Sequence, residues 1–179
     1  MKKHNQHITH HGFSLIEVLV TLLVLSIGLL GLAGLQGRSL MNTNESFARS
    51  TVTNLSNDII NRMTANRTSA IITNTGANPY HTNIAGAKSS DENDCDAIAT
   101  CTPAQLAAFD LNTWDNALAD QLENGEGVVC FDSTPNDLDA SPDDGRCDDN
   151  GPVFAIKIWW GPLDNNDVPT NSFVTSYQP

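Results

Sequence analysis

The four cysteines, Cys95, Cys101, Cys130 and Cys147, are the residues of this sequence whose type and spacing could support covalent chemistry. An even number of cysteines in an exported domain indicates two disulfides, although sequence alone permits three pairings. We favour Cys95 with Cys101 and Cys130 with Cys147, because each pair closes a short polar loop. A zinc site is the alternative, but neither spacing is the C-x2-C of a zinc ribbon, so we expect no bound metal.

A second candidate for chemistry is the acidic stretch that surrounds Cys147. Its carboxylates belong to Asp137, Asp139, Asp143, Asp144, Asp148 and Asp149. Calcium is a hard cation that takes several oxygen ligands, so this stretch could belong to a membrane-anchored, calcium-dependent binding module. Because the spacing fits no EF-hand loop, we favour a solvated acidic loop held by Cys147, without a cofactor.

An enzyme would need paired carboxylates, or a nucleophile with a histidine, brought together in a pocket. Of the five histidines, those at 4, 7, 10 and 11 lie in the polar N-terminal stretch, and His81 stands alone in a polar loop with no Ser or Cys motif around it. The acidic residues are in loops. The sequence therefore predicts no catalytic residues and no enzymatic activity.

The balance of charge argues against direct binding of nucleic acid. Only 9 lysines and arginines stand against 21 aspartates and glutamates, for a formal net charge of -12. Phosphate neutralisation requires clustered basic residues, which this sequence lacks. With 179 residues, of which a long apolar N-terminal run is unavailable to a core, the chain has room for one globular domain.

The apolar run extends from Phe13 to Leu35. Its roughly 23 residues would span about 34 Å as a helix, enough to cross a bilayer core. Lys2 and Lys3 precede the run and the next basic residue is Arg38, so the positive-inside bias places the short leader in the cytoplasm and the remainder outside. A secretory signal peptide is the alternative, but its apolar region is usually about 7 to 15 residues long and ends at a small-residue cleavage site that is absent here.

Glu17 is unusual, because a carboxylate near the start of a membrane helix is costly and needs a compensating partner. Cleavage after Gly12, where the short polar leader meets the apolar run, would free the amine of Phe13. A neighbouring copy displaced along the helix axis could then present that amine to Glu17 and set the axial register between packed subunits. The alternative is that Glu17 reaches the lipid headgroups or pairs with the amine of its own chain.

Beyond the apolar run the pattern becomes amphipathic and continues as a helix. Apolar residues recur at helical steps of three and four, and no proline follows until Pro79, so one helix is predicted to continue to about Asn66. The recurring residues are Ala48, Val52, Leu55, Ile59 and Met63.

The string from His11 to Val20, HGFSLIEVLV, resembles the class III leader of the type IV pilin superfamily, which also includes the pseudopilins of secretion systems. The resemblance implies cleavage after Gly12 by a prepilin peptidase and N-methylation of Phe13. It also implies that Glu17 is the carboxylate that helps a subunit to enter the growing fibre.

A second set of residues resembles the PilV-like minor pilins, which are sometimes labelled type IV pilus modification proteins. The set comprises Cys101 to Ala107, Phe109 to Leu111, Trp114, Gly125, Gly127 and Ile158 to Trp160. Where such proteins often carry Leu-Pro before the glycine turn, this chain has Leu122-Glu123-Asn124, which leaves the geometry of the turn open.

The globular part is predicted to contain one helix and two strands. Thr102, Pro103 and Gln105 form a helix start, with Thr as the N-cap and Gln in the reciprocal capping position. The predicted buried face of this helix comprises Leu106, Phe109, Trp114, Leu118 and Leu122. The segments 127–131 and 153–160 read as neighbouring antiparallel strands, and 68–94 reads as an irregular surface connection. In the second strand, one face carries Phe154, Ile156, Ile158 and Trp160.

Together these features predict an α+β fold in which a long N-terminal helix packs on a small antiparallel sheet. The predicted organisation is a leader at 1–12, a transmembrane and fibre-core helix at 13–36, its amphipathic continuation at 37–67, and an extracytoplasmic disulfide-bonded domain at 68–179.

The resemblance implies a minor pilin, a structural subunit that helps to initiate or cap a type IV pilus, or alternatively a minor pseudopilin of a type II secretion system. Its implied partners are other minor and major pilins, the prepilin peptidase, the inner-membrane assembly platform and the membrane itself. The implied location is the bacterial inner membrane, crossed once, with the C-terminal domain in the periplasm and the subunit incorporated into the pilus.

Overall fold

The computed structural model describes residues 12–71, 77–82, 85, 95, 101–136, 141–142, 144–145 and 147–179. Its helices and strands, in chain order, are α1 (Leu15–Ala65), α2 (Arg67–Ala70), α3 (Pro103–Gln121), β1 (Glu126–Phe131), β2 (Phe154–Leu163) and β3 (Pro169–Tyr177). The strands form one antiparallel sheet in the order β1-β2-β3. A long N-terminal helix with a small antiparallel sheet confirms the predicted α+β class.

The chain divides into two compact units, one ending at Ser46 and the other beginning at Phe47. In the first unit, every described side chain is exposed. Helix α1 contains a stretch that is long and apolar enough to cross a membrane, and none of that stretch is buried within the chain. The apolar side chains of this unit therefore require cover from outside the chain.

The second unit takes its first core residues from the rest of α1. Val52, Leu55, Ile59 and Met63 are buried, as the helical spacing predicted, whereas Ala48 is only half-buried. The helix ends at Ala65, one residue before the predicted end.

Helix α3 begins with the predicted capping box. The Thr102 hydroxyl accepts from the Gln105 N–H at 3.3 Å, and the Gln105 side chain accepts from the Thr102 N–H at 2.9 Å. Pro103 occupies the first helical position, where its missing N–H leaves no helical bond unmade.

The buried face of α3 is rotated slightly from the predicted one. Trp114, Leu118 and Leu122 are buried, but Leu106 and Phe109 are only half-buried. The buried positions next to them are instead Ala107, Asp110 and Leu111, which face the core.

The sheet places its apolar face against the helices. Strands β1 and β2 pair antiparallel as predicted, with Phe131 opposite Phe154, and β2 buries its predicted apolar face in the core. Strand β3, which pairs with β2, was not predicted because its side chains are mostly short and polar. Its apolar contribution comes chiefly from Phe173 and Tyr177, which pack partly buried against the core.

The turn between α3 and β1 depends on close packing. A β-carbon on Gly127 would lie 2.6 Å from Leu118 Cδ1 and would also overlap the ring of Trp114, so only glycine fits there. Asn124 adopts a left-handed backbone conformation with φ of 49°, and its side-chain amide donates to the Gly161 carbonyl at 3.0 Å. Asparagine tolerates this conformation better than most residues, which explains how the turn forms without the Leu-Pro of the resembled family.

Trp114 ties α3 to the buried part of α1. Its indole N–H donates to the Leu55 carbonyl at 2.9 Å, and only 2% of the residue is exposed. A buried indole N–H without an acceptor would be destabilising, so this bond fixes where the two helices cross in the domain.

A buried carboxylate, Asp110, joins the same helices to the segment 77–82. One oxygen accepts from the Tyr80 hydroxyl at 2.6 Å, and the other accepts from the Arg62 guanidinium at 3.2 Å. Asn66 donates to the Tyr80 hydroxyl at 3.1 Å and to the Pro103 carbonyl at 2.7 Å. Both carboxylate oxygens are thereby satisfied, which is what allows a charged residue to be 5% exposed.

The environment of this network shifts the pKa of Tyr80. Burial, together with the hydrogen bond to the Asp110 carboxylate, raises the pKa of the Tyr80 hydroxyl well above its ordinary value of 10.0. Burial by itself would lower the pKa of Arg62, but hydrogen bonds and charge from Asp58 and Asp110 raise it overall. Tyr80 and Arg62 therefore both keep their protons throughout the neutral pH range.

The shift in the pKa of Tyr80 predicts an alkaline loss of stability. Above about pH 10 the unfolded chain releases the Tyr80 proton while the folded domain keeps it, so the free energy of unfolding should fall as pH rises further. Tyr80→Phe should lower stability at pH 7 by about 1 to 3 kcal/mol, because Asp110 loses a buried donor, and should flatten the alkaline decline. Chemical denaturation from pH 7 to 11 measures both effects.

Tyr177→Phe is the matched control, since it removes the hydroxyl of the only other tyrosine in the chain. Identical alkaline slopes for the Tyr80→Phe protein and the unsubstituted protein would contradict the role given to this network.

Candidate functional site

The N-terminal site lies where the described chain begins. Gly12, Phe13 and Ser14 precede α1 and are not helical, and Phe13 is 85% exposed. The Ser14 carbonyl accepts from the Glu17 N–H at 3.0 Å, and the Ser14 hydroxyl accepts from the Ile16 N–H at 3.4 Å. Ser14 thus begins the helix, and the peptide bond between Gly12 and Phe13 lies in exposed, non-helical chain.

Sequence reasoning missed the role of Ser14, although the signal was present. Ser14-Leu15-Ile16-Glu17 has the S-x-x-E spacing that marks a helix start. The same spacing places Glu17 in the first turn of α1, where the partial positive charge of the helix N-terminus favours a carboxylate.

Glu17 is the single charged residue from Phe13 through Gly37. It is exposed, and among the residues that the structure describes no cation pairs with its carboxylate. In an apolar environment an unpaired carboxylate is strongly disfavoured. Glu17 therefore requires a cationic partner that the described residues do not supply.

The cysteines form two disulfides, Cys95 with Cys101 and Cys130 with Cys147, which are the pairs favoured above. A possible metal group of Cys130, Asp132 and Cys147 has its ligand atoms within 4.8 Å of one another. Its two sulfurs are bonded to each other, and its carboxylate pairs with a lysine. The donor atoms of this group are already engaged.

The acidic stretch is described only in part, since Asp137, Asp139 and Asp143 lie outside the described residues. Asp148 accepts from the backbone N–H groups of Ser133 at 2.9 Å and Asn150 at 3.0 Å, and also from the Ser133 hydroxyl. The hydrogen bonds from Ser133 are the main cause that lowers the pKa of Asp148. This carboxylate holds its own loop together.

The expectation that His81 stands alone in a polar loop was wrong. Its ring stacks on Phe131, its Nδ1 accepts from the Phe131 N–H at 3.2 Å, and its Nε2 lies 3.0 Å from an Asp149 oxygen. The next residue, Thr82, donates its N–H to the Val129 carbonyl at 2.7 Å. The segment 77–82 therefore covers the outer edge of β1, and His81 is a structural side chain that protects this strand edge.

Sequence reasoning also missed a buried ion pair. Lys157 is 1% exposed, and its ammonium lies 2.6 Å from an Asp132 oxygen whose side chain is fully buried. The signal was a single lysine between Ile156 and Ile158 in an otherwise apolar strand. A charge in such a position requires a partner, which is what the carboxylate provides.

Two protein families match consecutive parts of the chain. Residues 9–33 match the prokaryotic N-terminal methylation motif, and residues 34–112 match the family described as type IV pilin Tt1218. Among curated proteins and solved structures, none matches the chain significantly. The first match contains Gly12, Phe13 and Glu17, and the second covers the rest of α1 and the first half of α3.

A pilin with an N-terminal methylation motif is processed by a prepilin peptidase and assembles with other pilins, and its apolar helix anchors it in the membrane before assembly. The two matches run without a gap from residue 9 to residue 112, across the methylation motif, the apolar helix and the start of the globular domain. On that basis the chain belongs to the type IV pilins.

Proposed function

We propose that this chain is a minor pilin, a structural subunit that helps to initiate or cap a type IV pilus. The observation that carries the proposal is Glu17, a carboxylate to which the described residues supply no cation, at the start of the exposed apolar part of α1. The resemblance to PilV-like minor pilins across α3 and β2 supports the minor role. It includes the capping residues of α3 and the tryptophan pair that ends at Trp160.

Processing is proposed to occur between Gly12 and Phe13, with methylation of the new amine on Phe13. The exposure of Phe13 supports this, because a peptidase needs an extended, accessible bond. Lys2 and Lys3 hold the leader in the cytoplasm, so the second unit lies in the periplasm, with the subunit crossing the inner membrane once.

Assembly is proposed to pair Glu17 with the Phe13 amine of a neighbouring subunit that is displaced along the helix axis. In a bundle of apolar helices each of these charges would be costly alone, so the pair forms only in the correct register. The helices of other minor and major pilins supply the apolar cover that α1 lacks, and the inner-membrane assembly platform delivers the subunit. We propose no catalytic activity and no cofactor.

One prediction of this proposal concerns Glu17→Val. The substituted subunit should be processed and remain in the membrane, but its incorporation into pili should fall at least tenfold. The reason is that a neighbour's amine left unpaired in an apolar bundle costs about 3 to 5 kcal/mol. Quantitative mass spectrometry of sheared pili and of membranes measures the distribution.

Thr21→Val is the matched control, since it introduces the same side chain one helical turn later on the exposed part of α1 without removing a charge. Glu17→Asp, which keeps the charge, should recover part of the incorporation. Normal incorporation of Glu17→Val would overturn the assembly role of the carboxylate.

Another prediction of this proposal concerns Gly12→Leu. A bulky side chain beside the cleaved bond should block processing, so the subunit should keep its leader, accumulate in the membrane and be missing from pili. Immunoblots after cleavage assays with a prepilin peptidase detect the retained leader as a mass difference. His10→Ala, a change within the leader, should be processed normally, and cleavage of Gly12→Leu at the unsubstituted rate would refute the proposed site.

A further inference from the structure

The sheet has a second buried face, opposite the helices. Val128, Cys130, Ala155 and Trp159 form this face, and Cys147 packs against it partly buried. Lys157 lies among them on β2, directly opposite Val128 on β1. The lysine is thus enclosed beneath the loop that runs from β1 to β2 and contains Cys147.

The ammonium of Lys157 contacts both ends of the loop that the Cys130–Cys147 disulfide closes. It lies 2.6 Å from an oxygen of Asp132, which is two residues after Cys130. It also donates to the Gly145 carbonyl at 2.9 Å, and Gly145 is two residues before Cys147. One buried cation therefore joins the chain beside one cysteine to the chain beside the other.

We infer that Lys157 is a positioning residue for oxidation of Cys130 and Cys147, because it brings the two thiols together before their disulfide exists. The inference concerns how the domain matures and does not depend on the fibre that the subunit joins. A second contact acts in the same direction, since the backbone and hydroxyl of Ser133 bind Asp148, the residue after Cys147.

Loop closure indicates the size of the effect. The two cysteines are separated by 17 residues, whereas only two residues separate Cys147 from the carbonyl that Lys157 holds. Because closure probability falls as about the 3/2 power of loop length, the anchor could raise the effective concentration of one thiol at the other by up to about 25-fold. The remaining Ser133–Asp148 contact lies three residues from Cys130 and one residue from Cys147, so by the same relation it alone keeps about ninefold of this gain. Removing Lys157 should therefore cost about threefold.

The oxidation needs an external disulfide, for which oxidised glutathione is the probe. The thiolate of Cys147, which is the more exposed of the two, attacks one glutathione sulfur and releases one reduced glutathione. The thiolate of Cys130 then attacks the Cys147 sulfur of this mixed disulfide and releases the second. Two protein thiols become one disulfide, and one oxidised glutathione becomes two reduced glutathiones.

The test compares the unsubstituted chain with the double variant Lys157→Met and Asp132→Asn, each purified whole in detergent. Removing both charges avoids an unpaired buried ion, and the side-chain amide oxygen that Asp132→Asn introduces can still accept the hydrogen bond that the Thr134 N–H makes to Asp132 at 2.9 Å. Both proteins are equilibrated in glutathione buffers, alkylated and digested, and each disulfide is quantified by mass spectrometry. The Cys95–Cys101 pair serves as an internal control in the same molecule.

We expect the equilibrium constant for forming Cys130–Cys147 to fall about threefold in the double variant, while that of Cys95–Cys101 changes less than about 1.5-fold. Tyr80→Phe, which weakens the domain without touching this loop, should leave the ratio of the two constants unchanged. An unchanged constant for Cys130–Cys147, or an equal fall for both disulfides, would overturn the inference.

Discussion

Apolar surface must be covered, and this chain covers only part of its long helix. Up to Phe47 the side chains of α1 are exposed, while the buried positions begin at Thr51. Each leucine or isoleucine transferred from water to apolar surroundings contributes about 1.5 to 3 kcal/mol, so the exposed stretch has a large unmet driving force for burial. In the proposed assembly, a membrane covers this surface first and a bundle of similar helices covers it afterwards, so that one segment serves both as an anchor and as the core of a fibre.

The same constraint is the physical basis of the role proposed for Glu17. Among apolar neighbours a carboxylate is costly until a cation reaches it, so its pairing can distinguish one axial register from all others. The second unit solves a different problem, since its buried charges are paired within the chain. Asp110 is satisfied by Tyr80 and Arg62, and Asp132 by Lys157. In the proposed assembly, the charge of the first unit selects a partner subunit, whereas the paired charges of the second unit hold its segments in position.

Periodicity predicted the elements that bury one regular face. The steps of three and four from Val52 to Met63 predicted the second half of α1, and the alternation from Phe154 to Trp160 predicted β2. Strand β3 was not predicted, because its pairing depends on backbone groups and its side chains are mostly those of Ser, Thr and Asn. The ion pairs of His81 and Lys157 were not predicted for a related reason. Their partners, Asp149 and Asp132, are distant in sequence, and no local pattern joins them.

The mass of the N-terminal peptide of the natural protein, purified from membranes of a bacterium with a functional pilus apparatus, tests the central claim most directly. A peptide that begins at a methylated Phe13 is the result that a processed pilin requires. A peptide that begins at Met1, or one that begins beyond Leu35, would contradict the claim, because the first would retain the leader and the second would lack the helix from which the fibre is built.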